Sequence, residues 1–350
     1  MPIPFTLREM TPADSPALAA LTEQSPDAGM VTVNPRFHLP VDQVFAARHG
    51  KLVGVVVEAE GAPGLVGAEH VSFGECQFEG SVRPYALMSA LVVHPDYRRQ
   101  GIAGALAQWC ITRALEHSGK DTVLMADIQK GNVASTATAH QWATQFSTRV
   151  IIAPIPMRAQ PPQPNSSITI RETADSDLEA IAENVNTFYR DYNFYRPQTA
   201  QSLRDWLQES PLPTPINHAW VAVDRANHLL AGIGVREDGR LMSLHVEKAP
   251  TLVNLANAFL KIIPPDHEMR NLQVEKFWFA PGQIEAARLL WQTLRWELRE
   301  RGSSLLCNYD PRSPLKAVLQ APPWMPTTSI NVALRAPAPL SESRLLDPIP

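Results

Sequence analysis

The sequence predicts an α/β (α+β) chain made of two tandem copies of one strand-and-helix domain. Three observations predict it: a length of 350 residues, a segment that recurs in order, and a proline-rich boundary between the copies. At roughly 150 residues per domain, the length accommodates about two domains. Hydrophobic residues make up 45% of the chain, enough for two cores and too many for a disordered polymer. Proline numbers 32 and charged residues reach only 19%, so the prolines mark loop stops and linkers.

Thr6-Leu7-Arg8-Glu9, with Asp14 and the apolar run Ala17-Leu18-Ala19, reappears as Thr169-Ile170-Arg171-Glu172, Asp177 and Ala180-Ile181-Ala182. Every pair is separated by the same interval. In each copy a β-leaning strand leads into a helix start capped by Asp or Ser. A second element follows in both. Residues 44–57 read as strand, tight turn at Gly50 and strand, and residues 220–233 match them. Pro154, Pro156, Pro161, Pro162 and Pro164 then crowd a segment where neither helix interior nor central strand is expected. The domains are therefore drawn as 1–157, a linker at 158–167, a second copy at 168–336, and a loose tail over 337–350.

Composition also excludes classes of function. The net charge is −4 and the isoelectric point is near 6.2, the wrong sign for wrapping duplex nucleic acid or resting on anionic lipid. Cys76, Cys110 and Cys307 are scattered thiols without CxxC spacing, which fits a reducing compartment. The N-terminus lacks a basic segment followed by an apolar run, and no apolar run approaches the ~20 residues of a membrane helix. A cytoplasmic protein with no nucleic-acid or membrane partner is expected. No HExxH, GxSxG or zinc-ligand spacing occurs, so no metal is expected. Ser118-Gly119-Lys120 lacks the upstream Gly of a P-loop, and Gly232-Ile233-Gly234 lacks the third Gly of a dinucleotide fingerprint.

The strongest site lies in the first half. Met88-Ser89-Ala90-Leu91-Val92-Val93 reads as a buried strand, stopped by Pro95. A helix then opens at Arg98-Arg99-Gln100-Gly101-Ile102-Ala103-Gly104, and Ile102, Leu106, Trp109 and Cys110 share one face. The first backbone N–H groups of a helix have no partner within it. Gly101, Ala103 and Gly104 let an anion approach those donors, and the helix dipole favours negative charge there. Arg98 and Arg99 add charge-assisted donors. The arrangement is that of a pyrophosphate cradle. His94 lies on the cofactor side of this segment and reads as structural.

The run from Leu91 to Ala103 resembles the acetyl-CoA signature of the GNAT (GCN5-related N-acetyltransferase) superfamily, with Arg98, Gly101 and Ala103 in its first, fourth and sixth places. The resemblance implies two tandem GNAT-like domains, each a mixed, mostly antiparallel twisted sheet flanked by helices. It implies acetyl-CoA as co-substrate, held by Leu91, Val92, Val93, Arg98, Arg99, Gln100, Gly101, Ile102, Ala103, Gly104 and Asn132. The backbone of Leu91 and Val93 would pair with the pantetheine arm on a splayed strand. After the next strand, Thr122–Asp127, the family places an Asn, a small residue three on and a Tyr seven on. Asn132 and Ser135 match the first two, and Ala139 stands where the Tyr would be. That departure leaves the donor of a proton to the departing thiolate open.

The second copy's cofactor strand is expected at Val274–Phe279, followed by a helix whose core face carries Ala287, Leu290, Leu294 and Leu298. No Arg precedes paired glycines there, and Glu285 near the helix start repels phosphate, so this copy is expected to bind no CoA. The tyrosine-rich segment Phe188–Tyr195 and the tryptophans Trp278, Trp291 and Trp296 read as core, with a pocket wall as the alternative. The function expected is direct acyl transfer from acetyl-CoA to a primary amine, whether a small molecule or a protein lysine or N-terminus, by a monomer or homodimer. Tyr85, Glu75 and Ser135 are the candidates for proton transfer. The alternatives are a non-catalytic acyl-CoA sensor and a scaffold of two such folds.

Overall fold

β-Branched and aliphatic residues dominate the first copy, and its strands lie side by side in chain order. The computed structural model describes residues 3–25, 27–28, 32–248, 257, 263–321, 325 and 327–348. These form two compact units. The first takes Met1–Arg149, Leu244–Ala256 and Ile330–Glu342, and the second takes Val150–Ser243, Asn257–Ser329 and Ser343–Pro350.

In the first unit, β1 (Phe5–Glu9), β2 (Leu52–Ala59), β3 (Leu65–Phe78) and β4 (Ser81–Val93) are antiparallel neighbours, and β5 (Val123–Gln129) runs parallel to β4. Beside β5 lies the late strand β12 (Thr328–Arg335), antiparallel, with Val332 opposite Asp127. Two helices, α1 (Ser15–Glu23) and α2 (Val41–His49), cover one face, packing Leu18, Leu21 and Val41 on Val56, Leu65 and Ala68. On the other face α3 (Ile102–Ser118) buries Ile102, Leu106, Cys110 and Ala114 against Val55, Val57, Val71, Ala86 and Met88. Each large apolar side chain so buried contributes about 1.5–3 kcal/mol. A short helix, α4 (Val133–Ala139), follows β5.

The second unit repeats the plan. β7 (Thr169–Glu172), β8 (Asn217–Val223), β9 (Leu229–Arg236) and β10 (Asn271–Phe279) are antiparallel neighbours, and β11 (Ser304–Tyr309) runs parallel to β10. Residues Ile151–Pro156 of β6 (Gln145–Pro156) pair antiparallel with β11. Helices α5 (Leu178–Phe188) and α6 (Ala200–Gln208) pack on one face, and α7 (Ile284–Glu297) and α8 (Leu315–Leu319) on the other. Each unit thus takes its last strand from a segment outside its own half of the sequence, where the reading above drew contiguous halves.

The repeat seen in sequence is a repeat of interactions. Arg8 donates to both carboxylate oxygens of Asp14 at 2.9 and 2.7 Å, and Arg171 does the same to Asp177 at 2.6 and 2.9 Å. Asp14 also accepts the Thr11 N–H, and Asp177 the Ala174 N–H, so each carboxylate fastens its strand to the helix that follows.

Three expectations are corrected. Residues 44–49 are the end of helix α2 rather than a strand, because Val41, Val44 and Phe45 share a helical face and pack inward. Only residues 220–233 form the expected hairpin. Pro154 and Pro156 sit inside β6, opposite Leu306 and Ser304. Two residues apart, they put both missing N–H groups on one edge, leaving the other for pairing. The C-terminal segment is docked rather than loose. Leu345–Leu346 pairs with Tyr192–Asn193, and the Leu346 N–H is accepted by the buried Asp310. No helix among the described residues is long and apolar enough to cross a membrane.

Candidate functional site

The site begins with one extra residue in a strand. β3 and β4 pair as Ala68 with Val92 and His70 with Ser89, so Glu69 alone faces the two residues Ala90 and Leu91. Ala90 takes φ 54° to absorb the bulge. On the other side of β4, pairing with β5 stops at Met88 and Ala126. Beyond that point β4 and β5 fork. Leu91, Val92 and Val93 continue beside β3 with no β5 partner, which is the splayed geometry expected of a cofactor strand.

At the end of β4, Pro95–Tyr97 forms a helical turn in which His94 Nδ1 accepts the Asp96 N–H at 3.3 Å. His94 is thus a local cap, as its position suggested. Arg98 then folds back and donates from Nε to the Val93 carbonyl at 3.1 Å, tying the loop to the strand. Arg99 and Gly101 both take left-handed backbone, at φ 63° and 85°, which delivers the chain into α3. Arg99 is exposed, and the Gln100 side chain accepts the Ile3 N–H at 3.0 Å. Ile102 is core, so only its backbone is available to a ligand. Gly101 caps α3 without a side-chain bond, leaving the first-turn N–H groups of Ile102, Ala103 and Gly104 as donors. A Cβ at Gly104 would meet only the Gln141 side chain, 3.0 Å from its Oε1, so the space there belongs to a movable group. These features fit a pyrophosphate: small residues, free N–H groups, a helix N-terminus and two cations within one turn.

The other candidates separate. Asn132 caps α4 by accepting the Ser135 N–H at 3.0 Å, so both are engaged in starting that helix. Ala139 is buried against Ile128 and Ala333, so its side-chain direction runs into the core. Tyr85 is fully buried, its ring against Gly74, and four residues before Ser89 puts it about 13 Å along the strand from the bulge. Glu75, exposed and opposite Pro84, lies farther still. The structure brings neither to the fork.

Four residues that sequence reasoning passed over stand at the fork instead. Glu69 turns toward α3, where its carboxyl meets the Cys110 thiol and burial pushes it up to about 8. His70 turns the other way, against Phe45 at 4.5 Å between ring centroids. It is 2% exposed with neither ring nitrogen hydrogen-bonded, and burial pushes it down to about 4. Ser89 is its partner across the ladder. Asp127 follows Ala126, the last residue of β5 that pairs with β4. It is exposed at the end of the paired run. The available signal was Glu69-His70 breaking the apolar run from Leu65 to Val71, and a charge ending the run Val123–Ala126. Among the described residues, no three His, Cys, Asp or Glu side chains gather as a metal-ligand group.

A family model described as the acetyltransferase (GNAT) family matches residues 18–141. The match lies within the first domain, which is similar to this family. No curated protein matches the chain by sequence. Among solved structures, N-myristoyltransferase from Saccharomyces cerevisiae with bound myristoyl-CoA superposes with a TM-score of 0.65 at 9% identity, over 96% of this chain and 85% of that one. A GCN5-related N-acetyltransferase from Sphaerobacter thermophilus gives 0.62 at 16% identity, over 97% and 99%. One from Kribbella flavida gives 0.52 at 13%, over 95% and 71%. At these identities the likeness is one of fold: a GNAT architecture extending over both units. Acyl transfer from an acyl-CoA is the coarse chemistry that goes with the GNAT domain.

The second GNAT-like unit keeps the bulge and changes what fills it. Gly232 pairs with Trp278 and Gly234 with Glu275, leaving Ile233 opposite Lys276 and Phe277, and Lys276 takes φ 50°. Pairing of β10 with β11 stops at Gln273 and Leu306. The strand-to-helix loop shortens to Ala280–Gln283, with Gly282 as its left-handed residue and no arginine. At the fork, Glu275 pairs with both Arg236 and Lys276, and the Lys276 ammonium stands 4.0 Å over the Trp206 ring. Tyr189, Tyr192, Phe194, Tyr195, Trp278 and Trp291 are buried core residues, whereas Trp296 lies partly open beneath Arg299.

Proposed function

We propose that this chain is an acetyl-CoA-dependent N-acetyltransferase that passes the acyl group directly to a primary amine, on a small molecule or on a protein lysine or N-terminus. The observation that carries the reading is the Arg98–Gly104 loop opening α3 beside the β4–β5 fork. The loop supplies N–H donors and cations for the pyrophosphate, and the fork leaves the Leu91–Val93 backbone for the pantetheine arm. A thioester held there lies next to a strand bulge whose backbone N–H groups polarise its carbonyl. Holding thioester and amine in line supplies much of the acceleration, because a two-body encounter becomes a local one. The second unit, without arginines or a second glycine in its loop, holds no CoA and serves the fold. We place the enzyme in the cytoplasm as a monomer or homodimer.

A calorimetric titration of acetyl-CoA into the full chain tests the reading. One site per chain is expected. Two sites would overturn the assignment of the second unit, and none would remove the enzyme reading and leave a scaffold. One observation favours a non-catalytic acyl-CoA sensor as the second reading: Ala139, buried at 2% exposure, occupies the place of a proton-donating tyrosine. A sensor would bind acetyl-CoA and release no thiol with any amine.

A further inference from the structure

The second unit is open at a place where the first is filled. In the first, Ala68 and His70 of β3 stand opposite Val92 and Ser89 of β4. The matching positions on β9, opposite Trp278 and Glu275 of β10, are Gly232 and Gly234. Two residues apart, the glycines share one face of the sheet. A Cβ on Gly232 would stand 2.5 Å from Trp278 Nε1, and one on Gly234 would stand 2.8 Å from the Trp206 ring on α6. In the first unit the second of these places holds the His70 imidazole, packed on Phe45 of α2. With no side chain there, the second unit keeps a cleft of about 330 Å³, its mouth included, between the sheet and its two covering helices. The walls are Leu178 and Ile181 of α5, Leu203 and Trp206 of α6, and Trp220 and Trp278 of the sheet.

The helix that closes this cleft is fastened to the unit. The buried Asn217 donates from Nδ2 to the Trp206 and Glu209 carbonyls at 2.7 and 3.0 Å, and Arg204 pairs with Asp175 at 2.8 Å. Two polar atoms of the wall are nevertheless left over. Trp206 Nε1 and Thr173 Oγ1 are shielded from solvent, and neither has a hydrogen-bond partner among the described residues. They belong to one level of the sheet. Ala219 pairs with Gly234, beneath the Trp206 ring, and its carbonyl accepts the Thr173 N–H at 2.9 Å.

Buried polar groups are rarely left unbonded, and two of them in one apolar wall point to an occupant. An indole N–H is a donor only, so the occupant must bring an acceptor. Of the residues lining the cleft only Lys276 is charged, with its ammonium 4.0 Å over the Trp206 ring. A cation at the wall opposes an ammonium-bearing guest and suits an anion. We propose that this cleft binds a small apolar carboxylate, its ring or short branched chain held among the tryptophans and its carboxylate accepting from Trp206 Nε1 and Thr173 Oγ1. Such a ligand has no amine to acylate, so it is distinct from the acceptor of the transfer proposed above. The site stands or falls independently of that reading.

The test uses the full chain with benzoate, phenylacetate and isovalerate as probes and benzylamine as the cationic match. A ligand that binds only the folded chain raises the thermal midpoint as its concentration rises. At least one carboxylate should do so and give a calorimetric isotherm, and benzylamine should not. Trp206→Phe keeps an aromatic plate and removes the N–H, whereas Thr173→Val keeps the shape and removes the hydroxyl. Each should weaken binding of that carboxylate about tenfold or more, the worth of a hydrogen bond to a charged group. The midpoint of ligand-free Thr173→Val should hold or rise, because the hydroxyl it removes is unbonded. The proposal is overturned if no carboxylate probe binds at about 10 mM, or if binding is undiminished in both variants. A lower midpoint in ligand-free Thr173→Val would overturn it as well, since the hydroxyl would then be bonded to water within the fold.

Discussion

Ala90 and Lys276 hold the same left-handed backbone, at φ 54° and 50°, each one residue past the strand partner of the bulge, Ser89 and Glu275 respectively. The strained conformation is costly for a residue with a Cβ and persists only where surrounding pairing enforces it. Both units therefore retain the device that opens a parallel strand pair. They differ in what surrounds the opening: in the first unit an arginine- and glycine-bearing loop, in the second a shortened loop and a buried set of charges. Bulge and binding loop are separable parts of the fold.

Gly104→Trp should remove acetyl-CoA binding, lowering affinity by more than about 100-fold in calorimetry. Its Cβ direction is open except for the Gln141 side chain, so the indole enters ligand space rather than core. Helix propensity also improves over glycine, by up to about 1 kcal/mol, so the thermal midpoint should not fall. Binding that survived this change would remove the cradle assignment.

Arg98→Ala should loosen the loop and the ligand together. The Nε bond to the Val93 carbonyl is lost, along with a cation beside the phosphates. A charge-assisted bond of this kind is worth about 1.5–3 kcal/mol, so affinity for acetyl-CoA should fall about tenfold or more. The salt dependence of binding should flatten at the same time, which isothermal titrations at two ionic strengths would read.

Glu275→Ala should destabilise the second unit without touching acetyl-CoA affinity. It strips Lys276 of its carboxylate in a buried setting and leaves Arg236 with Asp238 alone of the two ion pairs. Breaking one side of a buried pair costs about 3–5 kcal/mol, visible as a lower urea midpoint. An unchanged midpoint would mean that water reaches this cluster freely.

Neighbouring residues at the first bulge should bend the pH dependence of stability in opposite senses. Burial holds the Glu69 carboxyl up to about 8 from an ordinary 4.5, so the folded chain keeps its proton while the unfolded chain loses it. Its contribution is complete below about 4.5 and is lost as pH rises toward 8. His70 is held down to about 4 from an ordinary 6.5, so its contribution is complete above 6.5 and is lost as pH falls toward 4. Thermal melts from pH 4 to 9 should show Glu69→Gln gaining on the unaltered chain as pH rises. His70→Phe should gain as pH falls.

What the sequence by itself determined was local. The Thr-Leu-Arg-Glu and Thr-Ile-Arg-Glu segments carried their Asp14 and Asp177 partners within six residues, so the repeat could be read without any distant contact. The strand, loop and helix of the candidate cradle were legible for the same reason: strand, proline stop, arginines, glycines and helix are consecutive. The helix at 44–49 was misread because its apolar positions fit either period and only packing under α1 decides between them. The exchange of last strands, the proline-bearing strand and the docked C-terminus were likewise decided by pairing between segments far apart in the chain. The fork belongs to that second class. Glu69, His70, Ser89 and Asp127 come from three separate strands, and a bulge of one residue sets which of them face the opening. Side-chain alternation reverses with each such shift, so no pattern within a single strand announces them, and only the registered sheet puts them together.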